Sequence, residues 1–216
     1  MGILLDRLAS RKILVSDGAW GTMLQARGMT SADCPEEWNL SHAADVQAVA
    51  RAYAQAGCDL ILTDTFGGSR PKLTKMGHGD RIRDFNAAGA RNSLAVAGDA
   101  VVAGSVGPTG EFLEPYGDMT IEQMEAVFTE QIGAMLDAGL RAICVETMSA
   151  VEEAACAVRA AKRLDSSLDV ICTFTFDATA RGFRTMMGID PARAAAELTD
   201  AGADILDGGL QGDYGY

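Results

Sequence analysis

Residues 56–68 read AGCDLILTDTFGG. Ala56-Gly57 reads as the end of a helix, because glycine takes positive φ without strain and so closes helices. Leu60-Ile61-Leu62 reads as a short buried strand. That strand ends in Thr63-Asp64-Thr65, a carboxylate between two hydroxyls. Gly67-Gly68 then frees the chain to turn away. A polar strand end of this kind reads either as a capped turn or as the wall of a ligand site.

The same form returns twice. Ala138-Gly139-Leu140-Arg141-Ala142-Ile143 and Ala201-Gly202-Ala203-Asp204-Ile205-Leu206 repeat the sequence of helix end, glycine and strand. Aliphatic and β-branched runs predict six strands, at Ile13–Asp17, Leu60–Asp64, Val101–Val106, Ala142–Glu146, Val170–Phe176 and Asp204–Leu206. Alanine-rich stretches of helical periodicity lie between them. Thr120-Ile-Glu-Gln123 and Ser149-Ala-Val-Glu152 read as capping boxes. Asp190-Pro191 reads as an N-cap before a proline at the first helical position, and Ser41 as a cap for 42–56. MGILLDRLASRK, at the start, reads as a short amphipathic helix, since it has no basic leader and no small-residue cleavage site.

Strand and helix alternation implies a parallel sheet with right-handed crossovers. An open dinucleotide-binding sheet calls for G-x-G-x-x-G after a strand, and none follows the first strand. Polar residues recur instead at strand ends, at Asp17, Asp64 with Thr65, Ser105, Glu146 and Thr175. A TIM barrel collects its site from many strand ends on one face. The fold class is therefore α/β, a TIM (β/α)8-type barrel with about six of its eight units in one domain, 1–216, incomplete at its C-terminus.

Composition narrows the function. Of 216 residues, 30 are acidic and 18 basic, a net charge of −12. That balance excludes nucleic acid and anionic membrane surfaces as partners, both of which want clustered Lys and Arg. No apolar run approaches the roughly 18–20 residues that span a bilayer. The five cysteines, Cys34, Cys58, Cys144, Cys156 and Cys172, are odd in number and form no CxxC, which points to a reducing, cytoplasmic setting. His42 and His78 sit at no strand end, so neither is a candidate base.

The candidate site residues are those at the strand ends. Asp17 can accept from an ammonium group, and Gly18 and Gly21 admit a close approach. Glu146 ends the fourth strand. The loop Gly104–Gly117, with its glycines, prolines and two acids, reads as a lid or binding loop.

Asp17-Gly-Ala-Trp-Gly-Thr22, Thr63-Asp-Thr-Phe66, Gly104-Ser-Val-Gly-Pro-Thr-Gly110, Val145-Glu-Thr147 and Gly202-Ala-Asp204, in this order, resemble the homocysteine S-methyltransferase family. The long third-strand loop looks most like its cobalamin-dependent branch. The resemblance implies a TIM barrel that transfers a methyl group to the homocysteine thiol to form methionine. It implies that Asp17 and Glu146 contact the substrate ammonium, with Gly18, Ala19, Thr63, Asp64 and the Thr65 hydroxyl around them. It also implies that Gly67 and Gly68 admit the ligand. This chain has Asp64 where the family usually has Asn.

The resemblance further implies zinc, which lowers the thiol pKa. Its family ligands are three cysteines, one after strand six and a pair near strand eight. The first falls at about Leu210, and none of the five cysteines present matches any of them. Three explanations stay open: a fragment or altered version of a longer enzyme, a short homologue completed by a partner, or a protein that keeps only binding. A corrinoid-linked methyltransferase and a non-catalytic amino-acid-binding subunit are the alternative functions. A corrinoid or methylfolate donor on a partner domain is the implied co-reactant. Unpaired sheet edges imply a homo-oligomer.

Overall fold

The computed structural model describes residues 2–11, 13–180 and 182–211. In chain order these form α1 (Ile3–Arg11), α2 (Gly21–Gln25), α3 (Pro35–Ser41), α4 (Ala43–Ala56), β1 (Leu60–Leu62), α5 (Arg70–Lys75) and α6 (Ile82–Leu94). They continue with β2 (Val101–Val106), α7 (Ile121–Asp137), β3 (Ala142–Met148), α8 (Val151–Leu164), β4 (Asp169–Thr179), β5 (Gly182–Arg184), α9 (Pro191–Ala201) and β6 (Ile205–Gln211).

β1, β2, β3, β4 and β6 lie side by side in that order, every pair parallel. Neighbours in space that are neighbours in sequence wind one way around, as in a barrel, whereas a doubly wound sheet reverses its order midway. The sheet is a curled half-barrel, as the strand-end polarity implied. β5 was not anticipated. It folds back antiparallel on the far end of β4, pairing Asp177 with Arg184, and Gly182 holds φ at +89° in the turn.

The expected strand 13–17 is corrected to a single parallel bridge, Ser16 to Leu60. The Asp17 N–H still donates to the Leu60 carbonyl at 2.9 Å. Among the described residues nothing covers its other edge, so Ile13 is 77% exposed and Val15 56%.

Side-chain alternation divides the sheet into two cores. Leu60, Val101, Ala103, Ala142, Cys144 and Ile171 face the lumen. Leu4 of α1 closes this layer from below, buried to 1% and worth about 1.5–3 kcal/mol. Its N–H donates to Asp169, at the start of β4, at 2.6 Å. The opposite face packs on α6–α9 through Phe128, Met135, Ile143, Val145 and Val170. Gly104 is small by necessity, because a Cβ there would lie 2.7 Å from the Met135 sulfur.

The thrice-repeated helix end is real. Gly57, Gly139 and Gly202 all adopt left-handed φ, at 93°, 109° and 108°. Thr120 and Gln123 form the expected capping box, and Asp190 accepts from the Arg193 N–H. Two caps are corrected. Ala150 precedes α8 with no side-chain bond, so the Ser149 box does not form. Ser41 ends α3 and donates to Glu37, leaving His42 before α4 without a side-chain cap. Among the described residues no helix is long and apolar enough to cross a membrane.

Candidate active site

A cavity of about 1090 Å³ opens at the C-terminal ends of the strands and runs down into the lumen. Asp17, Gly18, Ala19, Thr63, Asp64 and Glu146 all line it, as do Ser105, Thr173 and Asp207. They come from successive strand ends, which is why residues so far apart in sequence meet.

Asp17 is held by three donors. Its Oδ2 accepts from the Trp20 indole N–H and the Leu62 main-chain N–H, both at 2.9 Å, and its Oδ1 from the Ser16 hydroxyl at 3.2 Å. Burial nevertheless raises its pKa above the ordinary carboxylate value, and the hydrogen bonds only oppose that rise. Tyr53 braces the next turn, donating to the Ala19 carbonyl at 2.9 Å. A Cβ on Gly18 would meet the Tyr53 hydroxyl at 3.3 Å, while one on Gly21 would meet open space.

Glu146 sits where the β3–β4 register slips between Val145 and Met148. The next residue, Thr147, takes φ of 59°, a strained conformation for a β-branched residue. Its N–H is held by the Thr173 hydroxyl at 3.0 Å. This bulge sets Glu146 at the mouth, where Ser105 donates to its Oε1. Burial raises the Glu146 pKa, the Ser105 bond lowers it, and the charge of Asp17 raises it again. Two carboxyls that repel across a partly dry cavity are relieved by a cation placed between them.

Thr63-Asp64-Thr65 divides by the same alternation. Thr65 is absent from the cavity wall. It is fully buried, and its hydroxyl donates to the Ser105 carbonyl at 2.7 Å on the helix side of the sheet. Thr63 reaches the wall, but its hydroxyl is taken up by the Ser105 N–H at 3.0 Å and by Thr65 at 2.6 Å. Asp64 lines the cavity. Its Oδ2 is buried without a hydrogen-bond partner, and burial, with the charge of Glu36 beside it, pushes its pKa well up.

Gly67 lines the cavity and Gly68 does not, and in both the missing side chain makes room for a neighbouring one. A Cβ on Gly67 would lie 2.8 Å from the Glu36 carboxylate, and one on Gly68 2.2 Å from the Asn86 amide oxygen. The Gly67 N–H donates to Glu36 at 2.6 Å. Glu36 is thus a cavity residue that sequence reading missed. Pro35-Glu36-Glu37 reads only as an acidic first helical turn, and it is that turn of α3.

The loop from 107 to 119 stands beside the mouth, but none of its residues is among those lining the cavity. Thr109 anchors it, donating from its N–H at 2.8 Å and its hydroxyl at 2.6 Å to the buried Glu153. His42 stacks on Trp38 and His78 meets Phe85 edge-on; neither lines the cavity.

The thiols do not fit a zinc centre. All five are free, and among the described residues no three His, Cys, Asp or Glu side chains cluster to hold a metal. Burial pushes Cys34 and Cys172 up to about 12 and Cys156 to about 11. Cys144, in the lumen below Glu146, is likewise raised by burial and by that carboxyl. Zinc binds thiolates, which these surroundings oppose. Leu210 lies on β6 and carries no donor atom; its side chain, like residues 212–216, is outside the described residues.

Fold and site define an α/β-barrel protein whose cavity, at the C-terminal mouth of its strands, carries several carboxyls on a largely apolar wall. The chain belongs to the homocysteine S-methyltransferase family, whose sequence model matches residues 14–210. Among its relatives is methionine synthase of Mycobacterium tuberculosis, 31% identical over 220 residues. That match takes in 94% of this chain but only 18% of the relative. Betaine–homocysteine S-methyltransferase 1 of Sus scrofa is 28% identical over 94% of this chain and 72% of its own. The metallated homocysteine methyltransferase MmuM of Escherichia coli shares the fold, with a TM-score of 0.66 at 19% identity. The superposition covers 96% of this chain and 94% of that one.

Proposed function

We propose that this chain binds homocysteine by its amino acid end in the strand-end cavity, as the substrate-holding part of a methyl transfer to the thiol that forms methionine. The observation that carries the reading is the pairing of Asp17 and Glu146. Both are partly dry and mutually repelling, and both lie in a cavity that a small zwitterion can enter. An ammonium group between them offsets the repulsion and takes up acceptor capacity that the protein leaves spare. Gly18, Ala19, Thr63 and Asp64 complete the wall.

The family metal is zinc, and the residues described here do not supply its ligands. That observation favours a second reading for the chain by itself: it holds the amino acid without methylating it. Methyl transfer then needs metal ligands from elsewhere and a donor such as a corrinoid or methylfolate on a partner. A corrinoid-linked enzyme that uses another small donor is the further alternative. A reducing, cytoplasmic setting suits the free thiols.

Calorimetric titration with homocysteine tests the pocket. Glu146→Ala is expected to weaken binding by roughly a hundredfold while the circular dichroism spectrum stays that of the parent, because truncation strands the bound ammonium against one carboxyl. Unchanged affinity sinks the assignment. Zinc content and a methylation assay on the same sample separate binding from catalysis.

A further inference from the structure

Of the two threonines that flank Asp64, Thr65 is off the cavity wall and Thr63 meets it with its hydroxyl already bonded, yet both are placed too specifically to be filler. The β1–β2 ladder ends at the Leu62–Ala103 pair, and the Thr63 N–H makes a last bond to the Ala103 carbonyl at 3.1 Å. Beyond it, the main-chain N–H and carbonyl of Ser105 have lost their strand partner. The hydroxyls of Thr63 and Thr65 replace it. Ser105 N–H donates to Thr63 Oγ1 at 3.0 Å, the two hydroxyls meet at 2.6 Å, and Thr65 donates to the Ser105 carbonyl at 2.7 Å.

Each hydroxyl has one proton, so the directions follow. Thr65 gives its proton to the carbonyl, and Thr63 therefore gives its own to Thr65. The three residues form a closed ring in which every donor and acceptor is matched. All three are at most 2% exposed, and the Met135 sulfur lies 3.4 Å from the Thr65 hydroxyl, so no water can substitute. On its other side Ser105 pairs with Cys144 in the β2–β3 ladder. The Ser105 side chain then points into the lumen and gives its single proton to Glu146.

We propose that Thr63, Thr65 and Ser105 are a positioning relay, in which the two threonine hydroxyls clamp the Ser105 main chain so that the Ser105 hydroxyl orients the Glu146 carboxylate for a ligand ammonium group. The relay rests on the homocysteine reading above for its ligand, but not for its effect on Glu146. The titratable groups near that carboxyl are Asp17, from the segment bridged to β1, and Cys144 on its own strand, while Asp207 on β6 lines the same cavity. None of them donates to Glu146 as Ser105 does, so removing the relay changes what no neighbour restores.

The test is a carbon-13 carboxyl NMR titration of the ligand-free full chain, with Glu146 assigned through Glu146→Gln, beside homocysteine calorimetry. Ser105→Ala removes a bond that favours the ionised form, so the Glu146 midpoint moves to higher pH and homocysteine binds roughly tenfold more weakly. Thr65→Val keeps the volume and unpairs the Ser105 carbonyl; it moves the midpoint the same way by less. Thr65→Ser restores the parent titration, which mere loss of packing cannot explain. A folded Thr65→Val chain with the parent midpoint overturns the relay. If Thr65→Val does not fold, Ser105→Ala decides, and an unmoved midpoint refutes the proposal. A parent chain that binds no homocysteine refutes the functional reading instead, and the ligand-free titration still judges the relay.

Discussion

Asp64 is a carboxyl whose surroundings resist its charge. It is 6% exposed, its Oδ2 has no partner, and Glu36 stands close by. Its folded pKa lies well above the unfolded one, so the fold binds its proton more tightly than the unfolded chain does. Stability from this group is complete below the unfolded carboxylate pKa and is lost as pH rises through the raised value. Asp64→Asn is therefore expected to stabilise the protein at pH 8 by about 1–3 kcal/mol, several degrees in Tm, with the gain gone near pH 3. Melting curves across that range check it; equal gains at both ends would mean that charge is not the cause. That Asp17 and Glu146 meet at the cavity was legible in sequence because each ends an apolar run. Thr65 was misread because a polar strand end looks alike from either face. The distinguishing signal was parity: Leu60 and Leu62 face the lumen, so Asp64 does too, while Ile61 and Thr65 face the helices, and Thr63 turns its hydroxyl that way although it also meets the cavity. Glu36 left no such signal.

The loop between β2 and α7 is tied to α8 by one buried carboxylate. Glu153 accepts both donors of Thr109, and it stands in the first turn of α8, where the helix dipole also favours it. Glu153→Ala leaves two buried donors unpaired. It is expected to lower stability by about 2–4 kcal/mol and to open residues 107–119 to limited proteolysis. A urea midpoint near the parent's, with the loop still protected, would contradict the anchoring role. The same contact explains a missed cap. The sequence Ser149-Ala-Val-Glu152 has the spacing of a capping box, but α8 begins one residue later and turns Glu153 toward the loop. Such a box competes with tertiary contacts that local spacing does not encode. The strands at 101–106 and 142–145 were readable because burial on both faces keeps their runs mostly apolar. β5 was not, since Asp177-Ala-Thr179 and Gly182-Phe-Arg184 alternate weakly and their pairing depends on the turn at Gly182.

As a whole the molecule is a half-barrel whose described sheet has two open margins. One is the bridged segment with exposed Ile13 and Val15, the other the free side of β6. Unpaired edges beside exposed aliphatic chains favour pairing between copies, against the mutual repulsion of a net charge of −12. Sedimentation is expected to show self-association that strengthens as salt screens the charge, and to weaken with Ile13→Lys. A monomer at every salt concentration would contradict it. Barrel class was legible from strand-end polarity. The exposure of segment 13–17, and its reduction to a single bridge, was not, because an apolar run carries no record of which neighbours it lacks. The claim beneath all of this is that carboxyls from separate strands converge to hold one ammonium group. A crystal structure with homocysteine tests it most directly. The account predicts the ligand nitrogen within hydrogen-bond distance of both Asp17 and Glu146; a nitrogen bound away from that pair, or one touching neither carboxylate, would contradict it.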